Sequence, residues 1–193
     1  RIRLVRIRAP RGIIYDRNKV ALVRNTPSYI EKTKDNKFKN VSLDDALKIQ
    51  AGDNSLGDSS KLELRPQRQY LFGSALVHVL GYLSEINEEE LKVNTTYNLG
   101  DLIGRLGIEE TYEDKLRGVN GEELVEVDAL GKKIRSLGTK NPIPGTDITL
   151  SIDSNLQKIV SDNYPKDEKG AVVVSDPQTG EILGMALLPS YDA

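Results

Sequence analysis

The chain contains no cysteine and no tryptophan, and only one histidine and one methionine in 193 residues. The lack of cysteine excludes disulfides and thiolate metal ligands, and one histidine leaves no usual donor set for a zinc site. Either redox compartment is compatible with this. Aromatic residues make up 5% of the chain, so its core must be largely aliphatic. No stretch approaches the ~18 apolar residues of a membrane-spanning helix, and no signal-peptide pattern is present. The net charge of −2 provides no global basic field for nucleic acid.

What is present suits a folded chain with a modest core: 38% hydrophobic and 29% charged residues, enough for one large domain or two small ones. Charge is unevenly spread. Arg1, Arg3, Arg6, Arg8, Arg11 and Arg17 face a single acid, Asp16, within the first seventeen positions. The chain begins inside a strand pattern at Arg1, so we expect it to be part of a longer protein. Arg1–Arg8 alternates basic and apolar residues with a slip at Leu4-Val5, which predicts a strand with one bulge. Short strands are expected at Val20–Val23 and Tyr29-Ile30, around Asn25-Thr26-Pro27.

Ser42 caps a predicted helix through Leu47, with Asp45 at N3. Gly52–Ser60 reads as a loop and Lys61–Arg65 as a strand. Helices are expected over Ser74–Leu80, from Asn87 onward, and over Ile108–Leu116 up to Gly118. Leu124–Val127 and Lys132–Ser136 read as a hairpin. Asn141–Thr146, with two prolines and a glycine, reads as a domain boundary. A strand (Asp147–Ile152), an amphipathic helix (Ser154–Asn163) and a hairpin (Gly170–Ser175, Glu181–Leu188) follow.

Four phrases carry most of the information. The first is Ala9-Pro10-Arg11-Gly12-Ile13-Ile14-Tyr15-Asp16-Arg17-Asn18. Pro10 fixes its φ and Gly12 permits φ > 0, so a sharp bend fits between them. Ile13 to Tyr15 favour a short buried strand. Arg11, Asp16 and Arg17 then lie against apolar surface, where charges need partners. The second phrase is Arg68-Gln69-Tyr70 with His78-Val79-Leu80-Gly81-Tyr82. His78 alone reads as a satisfied core or surface histidine. The third is Gly104-Arg105-Leu106-Gly107-Ile108-Glu109, followed by Tyr112, Leu116-Arg117-Gly118, Gly121, Val127-Asp128-Ala129 and Gly131. Gly107 lets a helix start lie against another backbone, Gly118 supplies a left-handed helix stop, and Glu109 suits an arginine partner. The fourth runs from Pro144-Gly145 through Asp147-Ile148, Leu150, Ile152-Asp153 and Leu156-Gln157 to Gly170-Ala171, Asp176, Thr179-Gly180-Glu181 and Pro189-Ser190-Tyr191-Asp192.

Together these phrases resemble the class B penicillin-binding proteins, membrane-anchored peptidoglycan D,D-transpeptidases. The resemblance implies an α+β chain. Residues 1–143 would form a mostly β pedestal, or dimerisation, domain with short helices and a shortened or divergent head region at 31–64. Residues 144–193 would open the transpeptidase domain. The resemblance also implies that Arg11 and Glu109 join one interdomain ion-pair network, with Asp16 and Arg17 nearby. Leu71 stands where the family has proline.

Partners implied by the family are a glycosyltransferase of the shape, elongation, division and sporulation type, scaffold proteins, the chain's own transpeptidase domain and, through an upstream anchor, the membrane. No nucleic acid and no cofactor are expected, and the location is the extracytoplasmic side of the bacterial membrane. The family's chemistry is serine acyl transfer, with Lys one helical turn after the nucleophile. No serine here has lysine three residues later, and Lys-Thr-Gly is absent; Lys32-Thr33-Lys34 is the nearest match. Ser161-Asp162-Asn163 precedes the expected nucleophile, the wrong order for the family's motif. We therefore expect no catalytic residue and no acylation in this chain. Two other readings are a β-lactam sensor or resistance protein of the same superfamily, and an anionic-polymer or membrane-surface binder using the basic strand.

Overall fold

The computed structural model describes residues 1–32, 38–52, 55, 62–129, 133–165 and 168–191. Lys34, Lys61, Gly131, Asp192 and most of the expected 52–60 loop lie outside the described residues. In chain order the elements are β1 (Ile2–Ile7), β2 (Ile14–Tyr15), β3 (Ala21–Lys32), β4 (Phe38–Val41), α1 (Leu43–Gln50), β5 (Leu62–Tyr70), a 3-10 turn (Gly73–Ala75) and α2 (Val77–Leu80). There follow β6 (Tyr82–Glu85), α3 (Glu88–Val93), β7 (Leu102–Arg105), α4 (Gly107–Thr111), α5 (Glu113–Leu116), β8 (Gly121–Val127), β9 (Lys133–Lys140), β10 (Ile148–Thr149), α6 (Ser154–Asn163), β11 (Gly170–Ser175) and β12 (Ile182–Leu188). The class is α+β, rich in strands with short helices. No described helix is long and apolar enough to cross a membrane.

Compactness groups the residues differently from the sequence-based boundary at 143/144. One unit comprises Arg1–Pro10, Asn25–Gln69 and Gly118–Gly145; the other comprises Arg11–Arg24, Tyr70–Arg117 and Thr146–Ala193.

In the first unit, β1, β8 and β9 form an antiparallel sheet in that order. Its register runs evenly from Ile2 opposite Glu126 to Ile7 opposite Gly121, so β1 has no bulge at Leu4-Val5. Both faces of β1 are largely solvated, and a slip in its pattern therefore does not force one. The irregularities lie instead between β8 and β9. The acidic strand β8 stands between two basic ones. Arg6 lies opposite Glu122, while Lys133 and Arg135 of β9 reach Glu123 and Glu126 at 2.7 Å each. In the same unit, α1 is capped as its sequence predicts, with Asp45 N–H donating to Ser42 Oγ at 3.1 Å. It buries Ala46 and Ile49. β3 continues through Pro27 where two short strands were expected. A proline fits a strand where its nitrogen faces no ladder partner.

The second unit has an aliphatic core: Ile14, Leu22, Val23, Leu76, Leu80, Leu116 and Ile152. β2 pairs antiparallel with the start of β3 and parallel with β10. β10 is only two residues long, because β2 offers a ladder of just that length. The expected helix over Ser74–Leu80 is a 3-10 turn followed by one turn of α-helix. The expected Ile108–Leu116 helix is broken at Tyr112, whose φ of −110° leaves the helical range. α6 spans the expected residues and is capped by Asp153, whose Oδ1 accepts from Asn155 and Leu156 N–H. β11 and β12 form the antiparallel hairpin that follows.

Candidate functional site

Arg11 enters the second unit just ahead of β2 and is only 10% exposed. Its Nη2 donates to Glu109 Oε2 and to Glu113 Oε2, both at 2.7 Å, and its Nη1 donates to Glu113 Oε1 at 3.1 Å. Glu109 is fully buried. Glu113 also accepts from Tyr97 Oη at 2.9 Å and from Gly104 N–H at 3.0 Å. Its carboxylate thus receives four hydrogen bonds, filling its acceptor sites. Burial opposes the charge on Arg11, but the hydrogen bonds and charges of Glu113 and Glu109 outweigh it and raise the guanidinium pKa further. Burial and Glu113 together push the Tyr97 phenol up to about 12. The Arg117 guanidinium stacks over the Tyr97 ring at 3.6 Å. Arg11 and Glu109 thus meet inside one compact unit, and both carboxylates are already engaged. The arrangement holds charge and geometry and does not present a free acid–base pair.

Glycines make that arrangement possible. Gly107 has φ +52°, and a Cβ there would lie 2.3 Å from Val79 O. Gly81 and Gly104 are equally tight against the carbonyls of Leu106 and Glu109. These approaches leave Leu106 at φ 61°, ψ 164°, a region essentially reserved for glycine that costs of order 1–3 kcal/mol. Gly12 does not take a positive φ. It is required for proximity instead: its N–H donates to Leu116 O at 2.8 Å, and a Cβ would sit 1.9 Å from Thr146 O. Gly118 takes the left-handed conformation, with φ +71°.

Asp16 and Arg17 lie outside this cluster. Asp16 is fully buried yet makes no ion pair among the described residues. Its Oδ1 accepts from Asn18 and Val20 N–H at 2.8 Å each, and its Oδ2 accepts from Ser154 Oγ at 2.7 Å and Ser154 N–H at 3.1 Å. Backbone donors supply what an arginine was expected to supply, and Asp16 ties the β2–β3 turn to the start of α6. Burial raises its pKa, but these four bonds outweigh burial and hold it below the usual value. Arg17 pairs with Glu181 at 3.3 Å on the surface. A second ion pair links α3 to β7, where both carboxylate oxygens of Glu90 are bound by Arg105. The hydrogen bonds from Arg105, then that from Asn87 N–H, bring Glu90 down to about 2.

Both groups have folded pKa values below their unfolded values. Their contribution is therefore complete above the unfolded carboxylate range and is lost as pH falls through the folded values. Stability measured by urea unfolding should hold steady from pH 7 to about 5 and fall from about pH 4 downward. Asp16→Asn should flatten part of that slope. An unchanged slope in the variant would contradict the role given to Asp16.

Three residues that position the site were given no role in the sequence reading. Glu113 lies four residues after Glu109, a spacing that would have shown it on the same helical face. Ser154 carried no signal beyond its place after the Asp153 cap. Gln157, fully buried, donates to Ala75 O and Met185 O and accepts from Met185 N–H, joining α6, the 3-10 turn and β12. Ser161-Asp162-Asn163 ends α6: Ser161 Oγ accepts from Gln157, and Asn163 bonds the Ile159 carbonyl. His78 lies in α2, with Nε2 3.1 Å from Pro189 O.

Residues 29–150 match the family model described as the Penicillin-binding Protein dimerisation domain. The chain belongs to this family. Its relatives in the penicillin-binding protein group include the peptidoglycan D,D-transpeptidases MrdA of Acinetobacter baumannii and of Escherichia coli K12. These are 33% and 34% identical over the whole chain. The chain spans only 34% and 37% of those proteins, about a third of their length. Penicillin-binding protein 3 of Bacillus subtilis is 39% identical over 65% of the chain and 18% of that protein. Among solved structures, Pseudomonas aeruginosa PBP2 in complex with WCK 5153 matches 98% of the chain and 31% of its own, with TM-score 0.64 and 31% identity. Helicobacter pylori PBP2, solved in complex with MreC, shares the fold: TM-score 0.66 and 21% identity, over the whole chain and 43% of that one. The chain thus corresponds to the dimerisation, or pedestal, portion of PBP2-like transpeptidases.

Proposed function

We propose that this chain is the non-catalytic pedestal of a membrane-anchored cell-wall transpeptidase, standing at the extracytoplasmic face of a bacterial membrane. In this reading residues 1–143 are the pedestal, with a shortened head region at 31–64, and residues 144–193 begin the transpeptidase domain. The pedestal holds the catalytic domain and offers surfaces to other cell-wall synthesis proteins. These are a glycosyltransferase of the shape, elongation, division and sporulation type and a scaffold protein; the complex of Helicobacter pylori PBP2 with MreC supports the scaffold kind. Acyl transfer to the peptidoglycan peptide, through a serine activated by lysine, belongs to the part of the relatives that extends past this chain.

The observation that carries the reading is the pairing of Arg11 with both Glu109 and Glu113, in a chain where no serine precedes lysine by three. Its charges are committed to architecture. Labelled penicillin should therefore leave the intact mass of this chain unchanged, while the full-length protein should acquire one label on a serine past residue 193. A stoichiometric serine adduct on residues 1–193 would overturn the proposal.

A further inference from the structure

We propose that His78 and Tyr191 form a latch that fastens the strap Pro189–Tyr191 to α2 and so fixes the direction in which the chain leaves this unit. The inference rests on the pedestal reading above, in which residues 144–193 begin a transpeptidase domain and its remainder follows the strap. Four contacts converge on the strap from one short stretch. His78 Nε2–H donates to Pro189 O at 3.1 Å. The His78 and Tyr191 rings meet at 5.1 Å with their planes at 88°, and Tyr82 adds a second edge-to-face contact with Tyr191 at 6.2 Å. Ser190 Oγ donates to Ser74 O. The Tyr191 hydroxyl is buried without a hydrogen bond among the described residues, so the ring, not the phenol, is what the seat recognises.

The seat is built on a rigid base. Its two anchors flank Gly81, whose backbone lies against the carbonyls of Arg105 and Leu106, while Gly107 lies against Val79. His78 and Tyr82 thus stand on the same glycine-packed junction that starts α4 and places Glu109. On the other side, β12 delivers the strap, and Gln157 holds β12 to α6 through Met185. The strap is therefore fastened at both ends, and His78 is a positioning residue that touches no reacting atom. A segment emerging from such a seat leaves along one direction, and loss of a positioning contact remote from the chemistry is felt in the rate.

The test uses His78→Ala, His78→Gln, Tyr191→Ala and Tyr191→Phe, with the His78/Tyr191 double alanine variant. In this chain, hydrogen exchange at Ser190 and Tyr191 should accelerate in both alanine variants and stay unchanged in Tyr191→Phe. The melting temperature should scarcely move. In the full-length protein the rate of acylation by labelled penicillin should fall about tenfold or more in each alanine variant. The double variant should be no slower than either single one, because the two residues act as one unit. His78→Gln keeps a donor near Pro189 O and should recover part of the rate. Unchanged exchange, unchanged acylation or additive effects would each overturn the latch. A wild-type full-length protein that penicillin does not label would overturn the pedestal reading instead, and the exchange result would then decide the latch alone.

Discussion

Replacing Arg11 by alanine should cost about 3–5 kcal/mol, the usual consequence of removing one partner from a buried ion pair. Arg11 is 10% exposed and Glu109 is fully buried, so solvent cannot take over the guanidinium's role. Two carboxylates lose their shared cation at once, and the Tyr97 and Gly104 bonds to Glu113 lose the group that holds their acceptor in place. Against a typical total of about 5–15 kcal/mol, this is a large fraction. It corresponds to a fall of about 6–20 °C in melting temperature for a chain of this size. Arg11→Lys should restore only part of the loss, since a single ammonium cannot engage Glu113 with two parallel bonds while also reaching Glu109. Urea unfolding followed by circular dichroism measures both. A loss below about 1 kcal/mol for the alanine variant, within the range of exposed pairs, would contradict the buried geometry.

Gly107→Ala should be comparably damaging for a different reason. An L side chain in the left-handed region costs about 1–2 kcal/mol. The Cβ would also meet Val79 O at 2.3 Å and Gly81 N at 3.0 Å, and these are backbone atoms that cannot swing aside. Forced movement of a packed backbone adds about 1–3 kcal/mol. The displacement falls two residues before Glu109 and therefore also disturbs its pairing with Arg11. Gly138→Ala is the matched control: a Cβ there meets nothing within 4 Å, and the change should stay within about 0.5 kcal/mol. Thermal melting of the two variants compares them directly, and equal melting would contradict the close-approach account.

Much of this was legible before the structure, and what was missed shares a cause. The strands β1, β8, β11 and β12, the caps Ser42 and Asn87, and the full extent of α6 follow from local pattern and capping chemistry. Gly107 was read as a point of close approach, because a glycine at a helix start has few other uses, and a Cβ there would lie 2.3 Å from Val79 O. Gly12 was read as a bend residue, whereas its requirement comes from Thr146, far along the chain. Asp16 was given an ion-pair role on the ground that a buried charge needs a partner. Four hydrogen-bond donors, three of them from the backbone, meet that need equally well, and backbone donors leave no trace in residue identity. The single helix expected over Ile108–Leu116 breaks at Tyr112, yet Glu109 and Glu113 both still reach Arg11. Gln157 was noted only as part of a phrase, since its work is to satisfy carbonyls of two elements distant in sequence.

The measurement that tests the central claim most directly is a double-mutant cycle on Arg11 and Glu113 in urea unfolding. If the charges around Arg11 are an architectural clamp, Arg11→Ala and Glu113→Ala remove the same interaction. The double variant should then be less destabilised than the sum of the two by about 1.5–3 kcal/mol. Losses that add to within about 0.5 kcal/mol would mean that the two side chains act independently, and the clamp account would be wrong.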